Sequence, residues 1–107
     1  MKWKCFQVGK LYQNNKLHWL VSSSRENAHF SPDRVQSLRT VNSTILQYWN
    51  KRLGYDLSIF YPKTFFCVLE QERDILKVLT PEGELGWIRL LAKTEGDIIE
   101  ASLPKEK

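Results

Sequence analysis

Two histidines, His18 and His29, and two cysteines, Cys5 and Cys67, are the residues of this chain best suited to act as bases, nucleophiles or metal ligands. A metal site needs three or four donors converging on one point, and the two imidazoles stand eleven residues apart with no carboxylate or thiol cluster beside them. No metal site is therefore expected. The cysteines form no Cys-x-x-Cys pair. Both lie in apolar, strand-like runs where a thiol packs as a small hydrophobe, so buried, reduced thiols are expected. A Cys5 nucleophile with His18 or His29 as base would need the fold to bring them together, and nothing in their spacing argues for it. Ser22-Ser23-Ser24 reads as a strand end. Glu70, Glu72 and Asp74 read as the solvated rim of a hairpin, not a catalytic pair, and Glu82-Gly83-Glu84 lacks the glycine-rich context of a phosphate loop. The expectation is a protein with no catalytic residue and no cofactor.

Binding chemistry is better represented. Tyr12, Tyr55, Tyr61 and Trp87 lie at strand ends or near loops, where an aromatic ring can bury against a protein partner. Trp87 has an equally simple role as a core residue. A second set is basic: Lys10, Lys16, Arg25, Arg34, Arg39, Lys51 and Arg52, with Trp19 or Tyr48 available to stack on bases, would suit a nucleic acid. These charges are scattered, with no lysine run, so a protein partner is the first expectation and nucleic acid the alternative. Residues 1–54 hold nine Lys and Arg against two acids, and residues 55–107 hold seven against ten. That asymmetry marks either an anion-facing surface on the first half or two halves that face each other and cancel.

The elements that must position these residues follow from periodicity. At 107 residues, with 42% hydrophobic and 26% charged residues, the chain has the size and composition of one globular domain, expected over residues 1–103 with a frayed tail at 104–107. Residues 6–12 and 17–21 alternate or run apolar and form a hairpin about Asn14-Asn15. Ser31-Pro32-Asp33 is a helix start, and Val35, Leu38, Val41, Ile45, Trp49 and Leu53 recur at spacings of three and four until Gly54 stops the helix. The result is one amphipathic helix over residues 32–53, its outer face carrying Gln36, Thr40, Ser43, Thr44, Gln47, Asn50 and Lys51. Residues 55–61 alternate again. Residues 65–88 read as three strands joined by two turns; the first, over 64–69, is apolar enough to be covered on both faces, and Thr80-Pro81-Glu82-Gly83 has the turn chemistry of a hairpin. A turn at 94–97 and a last strand over 98–102 complete the chain. Nothing approaches the ~20 apolar residues of a membrane span, and the N-terminal residues lack a signal-peptide core, so a cytoplasmic protein is expected.

The fold class is thus mainly β with one inserted helix, a small barrel of five to six strands with the helix packed on it. Val68-Leu69-Glu70, Leu76-Lys77-Val78, the Pro81-Glu82-Gly83 turn and Gly86-Trp87-Ile88 resemble the corresponding strands of bacterial SH3-like domains, and Gly-Trp-Ile looks like the Gly-Trp-Val that closes the core in that family. With Val8-Gly9-Lys10-Leu11-Tyr12 and the helix holding Tyr48-Trp49, the layout is also similar to small uncharacterised SH3-like proteins of bacteriophages. The resemblance implies a groove for an extended peptide beside the four aromatic residues, a phage or bacterial accessory role, and no assigned activity. Where signalling SH3 domains carry an acidic, tyrosine-rich first loop, this chain has a basic, helix-bearing excursion. Recognition of proline motifs is therefore not carried over.

Overall fold

The structure is a computed structural model that describes residues 3–29, 43–54, 56–90 and 95–101, without the side chains of Asn27, His29, Ser43, Ile45 and Leu53. Alternating and apolar runs become seven strands: β1 (Leu11–Asn14), β2 (Trp19–Ser22), β3 (Leu57–Phe60), β4 (Phe65–Glu72), β5 (Ile75–Leu79), β6 (Leu85–Arg89) and β7 (Ile98–Glu100). They exceed the five to six expected because the short runs flanking the central hairpins also find partners. Two helices, α1 (Arg25–His29) and α2 (Ser43–Leu53), lie between β2 and β3, and a 3-10 turn (Glu95–Asp97) precedes β7. The expected helix over 32–53 is observed from Ser43 onward; Val35, Leu38 and Val41 lie outside the described residues, as does the tail at 104–107. The short α1 has no counterpart in the sequence reading, because five residues are too few for a helical period to declare itself. Among the described residues no helix is long and apolar enough to cross a membrane.

Turn residues behave as their chemistry requires. Gly83 takes φ +81° in the β5–β6 turn, where its N–H donates to Thr80 O at 2.9 Å and Thr80 N–H donates to Glu84 O at 2.8 Å. Gly54 ends α2 at φ +71°. The charged break expected at residues 70–74 is shorter: β4 continues to Glu72, and the turn is made by Arg73, itself at φ +56°.

All strand pairs are antiparallel, in the order β3-β2-β6-β5-β4-β1-β7. The hairpin expected of residues 6–12 and 17–21 is not formed: β1 pairs with β4 and β7, and β2 with β3 and β6. The sheet curls, and polar contacts join strands that its order keeps apart. Asn14, on β1 and fully buried, sends its Nδ2 to Leu17 O (2.8 Å), Tyr61 O (2.9 Å) and Phe60 O (3.3 Å), while its Oδ1 accepts Thr64 N–H at 3.0 Å. Asp97, just before β7, accepts Asn15, Lys16 and Leu17 N–H groups and the Trp19 Nε1–H of β2 at 3.0 Å. These two side chains draw β1 and β7 toward β2 and β3 and make the sheet a half-barrel.

Inside the curl, Tyr12, Trp19, Val21, Phe60, Phe66, Val68, Leu76, Val78, Ile88, Leu90 and Ile98 form one core with Phe6. A smaller cluster lies on the outer face, where Leu20 and Leu57 pack beneath Leu46, Trp49 and Ile59. The strand buried on both faces is therefore β2, not the 64–69 run; on β4 only Phe66 and Val68 are buried. Asn50 is also corrected. Rather than facing solvent, it pairs with the backbone of β3, donating to Leu57 O at 2.8 Å and accepting Leu57 N–H at 2.9 Å, so α2 covers part of an open sheet edge.

Two substitutions test this architecture. A Cβ on Gly86 would sit 2.5 Å from Val21 Cγ1 in the closed core, and β-branched Val21 has little rotamer freedom to yield, so Gly86→Ala is expected to cost about 1–3 kcal/mol in urea unfolding. Asp97→Ala leaves the buried indole N–H and a cluster of loop amides without an acceptor; a loss of about 2–3 kcal/mol is expected in the same assay.

Candidate protein-binding surface

The expected site residues separate. Tyr12 points into the core, 6% exposed, its ring edge-on to Phe6 and its hydroxyl accepting the Gln7 N–H at 2.7 Å. It belongs to the core, because alternation along β1 turns it inward with Asn14. Tyr55 lies outside the described residues. Trp87 is half-buried on the outer face of β6, between inward-facing Gly86 and Ile88, with the Lys77 ammonium 5.8 Å from its ring centre.

Among the described residues of this set, Tyr61 is the one whose ring stands clear, 56% exposed. Its backbone is nevertheless fixed: Tyr61 O accepts Asn14 Nδ2–H, Thr64 N–H at 3.2 Å and Thr64 Oγ1–H at 2.6 Å, in a turn that holds Lys63 at φ +71°. The His18 ring meets the Tyr61 ring edge-on at 5.3 Å. Tyr61 thus projects from a rigid base, which limits the ordering cost of binding through it.

Around Tyr61 is a groove of about 590 Å³ at the mouth of the half-barrel. One wall is the edge strand β3 with Ser58, Ile59 and Phe60; the other is the β5–β6 turn with Thr80, Pro81, Glu82 and Glu84, and Phe65 lies between. Apart from Tyr61 these residues carry no sequence signal. Ile59, Phe65 and Pro81 read as ordinary strand or turn residues, and only the curl brings them together. A smaller cavity of about 210 Å³ lies on the outer face among Arg25, Glu70, Glu72, Ile75, Lys77 and Trp87. Its charges are of mixed sign: Arg25 pairs with Glu72, and Lys77 stands opposite Glu70 in register.

The basic residues are likewise dispersed. Lys10 pairs with Glu100 at 2.6 Å; that hydrogen bond, and then the carboxylate charge, raise the lysine pKa above its ordinary value. With Arg25–Glu72, both pairs join a base of the first half to an acid of the second, as expected if the halves face each other. Lys16 is exposed in the β1–β2 loop, Lys51 and Arg52 are exposed on α2, and Arg34 and Arg39 lie outside the described residues. Arg52 stacks over Tyr48 at 5.9 Å.

The residues suited to reactive chemistry have separate surroundings. Cys5 is exposed, not buried as expected, because it lies on the N-terminal segment that runs outside the sheet, beside Trp3, Gln71 and Arg73. Cys67 is half-buried on β4, and both thiols are free. His18 stands against Tyr61, with its buried Nδ1 unpaired; the His29 side chain lies outside the described residues. Among the described residues no group of three or more His, Cys, Asp or Glu is placed to hold a metal ion.

Comparison with protein-family models, with curated proteins and with solved structures returned no match. The arrangement of the side chains is what bears on function. Its central contrast is between two tyrosines: Tyr12→Ala is expected to cost about 3–5 kcal/mol in chemical denaturation, and Tyr61→Ala about 1 kcal/mol or less. In the native protein a thiol reagent is expected to label Cys5 well before Cys67, the order being read by peptide mass spectrometry of quenched samples.

Proposed function

We propose that this chain is a non-catalytic protein-interaction module with an SH3-like barrel, acting as a small bacterial or phage accessory protein in the cytoplasm. Its partner is a host or phage protein that presents an extended segment to the groove at the barrel mouth. The observation that carries this reading is the rigidly held, exposed Tyr61, set between the β3 edge and the β5–β6 turn with Phe65 beneath. Extended segments bind such places by adding main-chain hydrogen bonds to a sheet edge and seating alternate side chains in apolar pockets. Asn50 occupies the start of that edge at Leu57, so the segment is expected to pair farther along, about Ile59.

The alternative, a nucleic-acid-binding barrel, rests on Tyr48, Lys51 and Arg52 sharing the exposed side of α2. It draws less support, since Lys10 and Arg25 already face carboxylates. The two readings part in one experiment. Affinity capture from the source cells with the parent chain and with Tyr61→Ala is expected to recover a protein that the variant loses at least tenfold, with Trp87→Ala having less effect. Capture of nucleic acid alone, in an amount that falls steeply with salt and depends on Lys51 and Arg52, would replace this reading by the alternative.

A further inference from the structure

The strand registers place apolar residues side by side on the outer face of the sheet. Leu85 on β6 pairs with Leu79 on β5, Leu79 with Cys67 on β4, and Cys67 with Leu11 on β1. In the neighbouring row Phe65 pairs with Gln13, and Gln13 with Ile99 on β7. Leu85, Leu79, Phe65 and Ile99 are 49%, 37%, 44% and 38% exposed. Elsewhere the outer face is occupied. The helix α2 covers it over β2 and β3 through Leu46 and Trp49, and α1 lies against β2, β5 and β6 beside the charged cavity. A sheet face this apolar is unusual on an exposed surface and marks an interaction site.

We propose that a second copy of this chain occupies the half of the outer face that neither described helix covers, the two sheets packing face to face about a two-fold axis that runs along the strands. The charges flanking the rows argue for a second copy. On the β6 side, beyond Leu85, the turn carries exposed Glu82 and Glu84; toward the end of β1, Lys16 and Lys63 are exposed, Lys63 bonding to Asn15, while the exposed Glu100 of β7 is already paired with Lys10. None of the four forms an ion pair among the described residues. A two-fold axis along the strands keeps position along each strand and reverses left and right, setting the acidic side of one copy over the basic side of the other. A surface that is apolar in the middle and opposite in charge at its two sides is complementary to itself, as an isologous interface requires. Phe65, Lys63, Glu82 and Glu84 also line the Tyr61 groove, so the two surfaces adjoin; Tyr61 itself lies outside the paired rows, and the dimer needs no contribution from it.

Sedimentation equilibrium of the full chain over a dilution series tests the proposal. A concentration-dependent dimer is expected, together with loss of the dimer in Leu79→Asp and in Leu85→Asp at unchanged circular dichroism. Both side chains are already partly exposed, so these variants retain the core. Reversing the acidic side (Glu82→Lys with Glu84→Lys) or the basic side (Lys16→Glu with Lys63→Glu) is expected to weaken the dimer at least about tenfold, and combining all four to restore it. Tyr61→Ala should leave the dimer intact, which separates failure of the groove reading from failure of this one. A chain that stays monomeric at every concentration overturns the proposal, even if another protein covers the face. So does a dimer indifferent to Leu79→Asp and Leu85→Asp, or charge reversals that fail to rescue each other.

Discussion

Everything distinctive in this molecule depends on one carboxylate and one carboxamide at the seam of the curled sheet. A seven-stranded antiparallel sheet of short strands could remain flat, leaving the inner side of its core in water. Asp97 prevents this by gathering three loop amides and the Trp19 indole, and Asn14 does so by linking β1 to Phe60, Tyr61 and Thr64. Both contacts act where burial makes them strong, since Asn14 and Trp19 are fully buried and every polar atom of the Asn14 side chain is paired. The same bonds that curl the sheet into a half-barrel also fix the backbone of Tyr61. Curling and presentation of the groove are thus one event.

Curling produces two unlike surfaces. The inner face collects nearly all the large apolar side chains into one core, leaving space so tight at the β2–β6 crossing that only a glycine fits beside Val21. The outer face is divided among α2 over β2 and β3, α1 with a set of charges of mixed sign around Trp87, and the uncovered rows from Leu85 to Leu11 and from Phe65 to Ile99. Trp87, Lys77 and Glu70 lie across three strands in register. There the lysine stands over the ring, opposite the glutamate in register, so that region is polar where the rows beside it are apolar.

Much of the fold was legible because it depends on local pattern. The hairpin turn at Thr80–Gly83, the stop at Gly54, the strands over 65–88 and the helix leading to Leu53 follow from residue type and period alone. The candidate site was legible only in Tyr61. Tyr12 shares its residue type and its place at a strand, yet it faces inward. Ile59, Phe65, Pro81, Glu82 and Glu84 come from three separate stretches of chain and meet only because the sheet bends. Asn50 shows the same limit in a helix: its period puts it beside Trp49, and whether that position faces water or a sheet edge depends on what lies next to it.

The sequence by itself determined that this chain forms short strands joined by tight turns and an amphipathic helix, since these depend on neighbours in the chain, whereas the partner of each of the first two strands does not. It also determined the charge contrast between the halves. Tertiary structure alone decided which apolar residues were to be buried. An apolar run such as 64–69 satisfies a strand covered on one face as well as a strand covered on two, and the difference lies in where α1 and α2 come to rest. It alone decided, too, that Asn14 and Asp97, which read as ordinary turn residues, would hold the sheet curled. Apart from Leu17, three residues from Asn14, their partners are at least 46 and 78 residues away, and no local pattern records a contact that exists only after the sheet has curled.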